Sequence, residues 1–523
     1  MCGFLVYSET DIDLKEYERE FYKIKHRGPD MTRIVIGKGI FGFHRLSIMD
    51  LSEAGMQPFK YEENMIVCNG EIYNYLDLKK DLEIQYKSKS DCEILLPLYK
   101  IYEADFFKML DGEFALCLYD KRINKFIAGR DPIGIRPMFY GYSKVSNSIM
   151  FASEVKAINE LCSEVYPFPP GHYYDGEKFI RYYDPSKAST YINDSLKDIT
   201  TGLNKRLTKG IEKMLPSDAP IGFLLSGGLD SSLVCSIASK KLDMQIKTFS
   251  IGMEKDAIDL KYAKEVAEFI KSDHTEVIIS KDDVLNSIEE VIYKLESWDI
   301  TTIRASIGMY LICKYIREQT DIRVVLTGEI SDELFGYKYT DFAPSESEFQ
   351  KESMKRIKEI FMYDVLRADR CIAGNSLEAR VPFGDLDFVD YVMSINPSKK
   401  INSYGQGKYL LRKAFEGDYL PNNILYREKA AFSDAVGHSL VDYIKEYAEK
   451  KFTDNEFEER RKKYNNKTPF TKESLLYREI FEKYYSNRES LIVDFWMPNK
   501  EWDGCNVKDP SARVLDNYGE SGE

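Results

Sequence analysis

A cysteine follows Met1, and loss of that methionine would leave a thiol and a free α-amine on one residue, a nucleophile with its own base. An unperturbed α-amine titrates at about 7.7–8.0, so it can take a thiol proton near neutral pH. Alone, a cysteine at position 2 is most often just a small residue. A second kind of site is written in residues 221–232, IGFLLSGGLDSS, which read as a buried strand, a serine and glycine turn and a helix start. Gly227 and Gly228 let the backbone approach a ligand. Asp230 and Ser231 suit a helix's first turn, and N–H groups converging there with the hydroxyls of Ser226 and Ser231 cradle an anion. The Lys of a Walker A loop is missing. Residues 327–333, TGEISDE, follow another apolar run and bring Glu329, Asp332 and Glu333 within five positions. Beside a polyphosphate such acids serve as ligands of bridging Mg²⁺ or as proton acceptors. Residues 296–304, ESWDITTIR, add hydroxyls at Thr301 and Thr302 and a fork at Arg304 suited to a carboxylate, and Lys429 offers a cation for phosphate. Singly, each is an ordinary surface feature.

Elements must position these residues. From residue 2 to about 184, short β-like runs (3–7, 33–36, 42–48, 65–69, 113–119, 125–130 and 149–152) alternate with helical stretches near 13–25, 73–82, 91–103 and 154–160, which predicts a layered α+β domain. A polar stretch places a linker near 185–195. Beyond it, helices at 194–214, 231–240, 260–271 and 283–297 alternate with strands at 221–225, 246–251, 275–279 and 324–327, as in a parallel α/β sheet. The rest, from about 340, is mainly helical. In a doubly wound sheet the 225–231 and 327–332 loops would share the C-terminal edge, where ligands bind.

The chain has 523 residues, 43% of them hydrophobic, enough for two domains. A net charge of −13 disfavours nucleic acid as partner. No apolar run approaches the roughly 18 residues of a membrane span. Nine scattered cysteines without a CxxC pair fit a reducing, cytoplasmic setting and give no zinc spacing.

In order along the chain, these residues closely resemble the glutamine-dependent asparagine synthetases of the B type, over essentially the whole length. Residues 2–185 are similar to a class II glutamine amidotransferase domain through Cys2-Gly3, His26-Arg27-Gly28-Pro29-Asp30, Arg45-Leu46-Ser47-Ile48, Asn69-Gly70-Glu71-Ile72-Tyr73-Asn74, Ser90-Asp91-Cys92-Glu93 and Arg130-Asp131-Pro132. Residues 195–523 are similar to a synthetase domain whose SGGLDSS loop resembles that of ATP pyrophosphatases. The fold implied is an α+β N-terminal-nucleophile hydrolase sandwich, then an α/β parallel-sheet ATP-pyrophosphatase domain with a helical C-terminal part. The resemblance makes Cys2 the nucleophile, gives the oxyanion hole to Asn69 and Gly70, and holds glutamine with Arg45, Glu71 and Asp91. It assigns Leu225, Ser226, Gly227, Gly228, Asp230, Ser231, Ile251, Thr327, Gly328 and Lys429 to ATP and pyrophosphate, and Glu329 and Asp332 to the catalytic loop. Asp230 and Asp332 would meet Mg²⁺, and Thr301, Thr302 and Arg304 would shape the aspartate pocket. ATP and Mg²⁺ are the implied cofactors, and a homodimer is compatible with the family.

The family's loop usually carries a glycine where Ile330 stands, and a leucine where Gly384 stands. A β-branched residue penalises positive φ, so Ile330 is expected to alter the loop if it needs that conformation. Two further readings stay open on the residues alone: an amidotransferase-ligase acting on another carboxylic acid, and a non-catalytic relative.

Overall fold

The computed structural model describes residues 1–255, 257–428 and 438–518. Two six-stranded antiparallel sheets build the first half. One runs in the order Cys162–Pro167, Phe139–Ser143, Ile149–Ala152, Gly3–Tyr7, Ile40–Arg45, Met31–Ile36. The other runs Phe179–Arg181, His172–Tyr174, Lys125–Arg130, Gly112–Asp120, Asn64–Ile72, Phe59–Tyr61. Successive side chains of a strand point to opposite faces. Phe4 and Val6 therefore join Phe41, Phe43, Val67, Ala115 and Cys117 between the sheets. Leu5 and Tyr7 face outward, onto Tyr17 and Phe21 of helix Leu14–Tyr22. Helix Leu95–Tyr102 covers the second sheet in the same way.

The second half holds a five-stranded, wholly parallel sheet in the order Asp273–Ile279, Lys247–Met253, Ile221–Leu224, Val324–Leu326, Glu378–Arg380. The chain winds outward from Ile221–Leu224 in one direction and then restarts beside it at Val324–Leu326. The switch point between these two strands opens a crevice at their C-terminal ends. No described helix is long and apolar enough to cross a membrane.

The strands Phe59–Tyr61, Phe139–Ser143, Cys162–Pro167, His172–Tyr174 and Phe179–Arg181 of the first half were not foreseen in the sequence, nor were two elements of the second. Helix Ile300–Gln319 is buried nearly all round, so its apolar residues show no 3.6-residue stripe. Strand Glu378–Arg380 is three residues long with a charge at each end, yet all three are buried. The expected helix at 154–160 is a single turn, Val155–Ala157, whose leading N–H groups of Val155 and Lys156 donate to the Glu296 carboxylate at 3.0 and 2.8 Å.

That contact belongs to a charged layer between the halves. Arg27 donates to Glu154 at 2.8 Å and to both oxygens of Asp369 at 2.8 and 3.0 Å. Lys156 lies 2.6 Å from Glu154 and 2.8 Å from Glu296, and Arg370 lies 2.9 and 2.6 Å from the same two acids. Three cations meet three anions, all buried, and two apolar clusters flank them with residues from both halves.

Candidate functional site

Cys2 opens strand Gly3–Tyr7. Its Sγ lies 3.6 Å from the Leu46 carbonyl, and its own carbonyl accepts from Arg27 Nε at 2.9 Å. Met1 is buried, and its ammonium donates to the Leu377 carbonyl at 3.2 Å. Burial pulls that ammonium down to about 6 and pushes the Cys2 thiol up to about 11. Asn69, on strand Asn64–Ile72, is fully buried with neither amide atom hydrogen-bonded. A buried polar group left unmade costs about 1–3 kcal/mol, so this amide is set for a partner the chain does not supply. Gly70 is pressed against the next strand, where a Cβ would stand 2.3 Å from the Glu113 carbonyl.

Glu71 and Asp91 are both buried. Burial raises the Glu71 carboxyl well above its usual range, and the nearby Asp91 raises it further. Burial also raises Asp91, against the pull of the Ile72 N–H that it accepts at 2.7 Å. Arg380, 3.6 Å from Glu71, offsets part of that repulsion. Arg45 departs from its expected part as an open clasp: its guanidinium donates to the Ser52 carbonyl at 2.5 Å, to Met49 at 3.4 Å and to Asp50. Its fork is turned on its own loop, where a Cβ on Gly55 would collide with it at 2.2 Å.

The second site is a cavity of about 260 Å³ at the switch point. Leu225, Ser226, Gly228, Asp230, Ser231 and Ile251 line one side, and Thr327, Gly328, Glu329 and Asp332 the other. The two loops touch backbone to backbone, for a Cβ on Gly328 would stand 2.8 Å from the Ser231 nitrogen. Gly227 lies behind the wall, with φ +74° and room for no side chain.

Lys408, absent from the sequence reading, is the centre of the charges. Its Nζ lies 2.7 Å from Asp230 and 2.8 Å from Asp332, and 3.0 Å from the Ser331 hydroxyl, which itself donates to Asp230 at 2.7 Å. Burial works against the Lys408 charge, but the two acids hold its pKa above the ordinary value. Arg367, also unforeseen, pairs with Glu329 and lies 2.6 Å from Asp364. Arg427 donates to the Gly227 carbonyl at 3.3 Å, lies 2.9 Å from Asp259 and stacks over Tyr262. Lys429 lies outside the described residues.

Of the three residues expected to shape the aspartate pocket, Thr301 and Arg304 reach the cavity wall and Thr302 does not. The Thr302 N–H and hydroxyl donate to Asp299, at 2.8 and 2.6 Å, to cap helix Ile300–Gln319. Arg304 reaches the wall, but Glu473 takes its fork at 2.8 and 2.6 Å and Asp509 takes it at 2.9 and 3.1 Å. A guanidinium so occupied is a strut.

Ile330 adopts φ +80° and ψ −21° at the start of helix Ser331–Phe335. The loop thus keeps the left-handed turn with a β-branched residue in it, where a changed geometry was expected.

The donor set fits a magnesium ion. Asp230 and Asp332 are hard oxygen donors on facing walls, brought together at Lys408, and among the described residues no group of three or more His, Cys, Asp or Glu forms a cage. Mg²⁺ is ordinarily held by one or two carboxylates plus substrate phosphates.

Two family models match the chain. One, described as a glutamine amidotransferase domain, spans residues 1–173, and the other, described as asparagine synthase, spans 202–347 and 340–504. The chain is 41% identical to a probable glutamine-hydrolysing asparagine synthetase of Acanthamoeba polyphaga mimivirus, with 98% of this chain and 100% of that one covered. It is 39% identical to a protein of the same description from Dictyostelium discoideum, covering 98% of each. It is also 39% identical to the glutamine-hydrolysing asparagine synthetase of Mus musculus, covering 99% of each.

Proposed function

Because this chain belongs to the glutamine-hydrolysing asparagine synthetases, we propose that its two sites act in series, the first releasing ammonia and the second placing it on aspartate. The enzyme is a carbon–nitrogen ligase that makes asparagine from aspartate with ATP and glutamine. Support for the synthetic site comes above all from the 260 Å³ cavity, where loops from neighbouring parallel strands converge.

In the first site, Cys2 without Met1 passes its thiol proton to its α-amine and attacks the glutamine carboxamide. Asn69 Nδ2 and the Gly70 N–H stabilise the oxyanion, at roughly 3 kcal/mol per donor. Glu71 and Asp91 receive the substrate ammonium, and Arg45 stiffens the loop on the carboxylate side. Ammonia leaves, and water then frees glutamate from the thioester.

In the second site, the backbone and hydroxyls of 226–231 bind the phosphates, and Ile251 lies against the base. Asp230 and Asp332 would hold Mg²⁺, which supplies positive charge to the departing pyrophosphate. The side-chain carboxylate of aspartate attacks the α-phosphorus and pyrophosphate leaves, giving a β-aspartyl-adenylate. Ammonia attacks that acyl carbon beside Glu329 and AMP leaves. Un-ionised ammonia is the reactive species, so a water-poor route between the sites would preserve it. A homodimer and a cytoplasmic location are further proposals, tested by sedimentation velocity and by cell fractionation.

The division of labour is tested with two variants. Cys2→Ala abolishes glutamine-dependent synthesis and keeps the ammonia-dependent reaction, whereas Asp230→Asn stops synthesis with either nitrogen source. Equal loss of both activities in the Cys2 variant would contradict it.

A further inference from the structure

We infer that Ile330 and Gly384 are a fitted pair that positions the second site's acidic loop, braced by two isoleucines of the first domain. Ile330 is 1% exposed and holds φ +80°, which is uncommon and costly for a β-branched residue. A glycine there would take the same φ without strain, so the use of position 330 lies in its side chain. Gly384 shows where that side chain goes. A Cβ on it would meet Ile330 Cδ1 and Ile135 Cδ1, each at 2.8 Å, with Ile133 Cδ1 at 3.6 Å. Gly384 has no positive φ, so it provides space and not backbone freedom.

The brace is stiff. The Asp131 carboxylate accepts the N–H groups of Ile133, Gly134, Ile135 and Arg136 at 3.1, 2.6, 2.9 and 2.9 Å. Arg136 in turn donates to the Ala379 carbonyl at 2.9 Å in the second domain. Ile330 thus sits against a rigid loop of one domain and between the functional groups of the other. Glu329 before it turns to Arg367, and Ser331 and Asp332 after it turn to Asp230 and Lys408. The wedge fixes both directions at once, which makes Ile330 a positioning residue.

This rests on the reading that Glu329 and Asp332 face the reacting groups, so Glu329→Gln is measured in parallel. Ile330→Gly and Gly384→Leu should each lower kcat for synthesis about tenfold or more, with ammonia and with glutamine alike, and change KM for ATP less. The double variant, with the bulk moved across the contact, should return to within about threefold of wild type. Glutamine hydrolysis and melting temperature serve as controls for folding. Should Gly384→Leu fail to fold, Gly384→Ala with Ile330→Ala gives the same expected pattern. Loss of synthesis in Glu329→Gln with kcat intact in Ile330→Gly overturns the inference, as does a double variant no better than the worse single. Synthesis intact in Glu329→Gln overturns the underlying reading instead.

Discussion

With Met1 in place, burial puts the Cys2 thiol up at about 11, where almost none is thiolate at pH 8. Its own α-amine, once free, supplies both a proton acceptor and a positive charge after transfer. Enzyme lacking Met1 should therefore be alkylated by iodoacetamide at pH 8 at least about tenfold faster at Cys2 than enzyme retaining it. Intact mass against time measures both forms in one sample, and equal rates would remove the amine from the mechanism. Residues that share the cavity wall with their sequence neighbours were readable in advance: Ser226 and Ser231 on one loop and Glu329 and Asp332 on another. Lys408 was not, for it meets Asp230 from 178 positions away and no local pattern marks it. The acids that occupy Arg304 were hidden for the same reason, since they lie 169 and 205 positions on.

At the scale of elements, the longer runs were legible to within a few residues, whereas short strands such as His172–Tyr174 and Phe179–Arg181, and the helix buried on nearly every side, were not. Helix Ile300–Gln319 depends on Asp299, a fully buried cap that accepts Thr302 and the Trp496 N–H at 2.7 Å. Burial raises the Asp299 carboxyl to about 6, against those hydrogen bonds. Between about pH 4 and 6 the folded chain holds a proton here that the unfolded chain has lost, so this site's contribution to stability falls as pH rises through that window and is level above it. Asp299→Asn has no such titration. Its stability relative to wild type should shift in the variant's favour by about 2–3 kcal/mol from pH 4 to 6, on top of a constant loss at Trp496. Denaturant midpoints at several pH values test this, and parallel curves would refute it.

For the whole molecule, the two halves were legible as two textures of sequence, but their junction was not. Nothing local in the sequence marks the charges at 27, 154, 156, 296, 369 and 370 as one group, and only the folded chain pairs them out of water. Removing one member of a buried ion network costs about 3–5 kcal/mol because its partners stay buried. Glu296 serves Lys156, Arg370 and two backbone N–H groups. Glu296→Gln keeps its shape and leaves surplus positive charge, so it should lower the melting temperature and separate unfolding of the halves into two calorimetric steps. A single transition at the wild-type temperature would show that the layer contributes nothing to docking.

The same docking sets a deadline. Met1 is sealed beneath Leu377, which lies 376 positions further along the chain. An aminopeptidase can reach it only until the chain has been made as far as Leu377, an interval of roughly 20–75 s at about 5–20 residues per second. The fraction of molecules with a working first site is therefore fixed during translation, and a molecule that folds before it is trimmed stays confined to free ammonia as its nitrogen source.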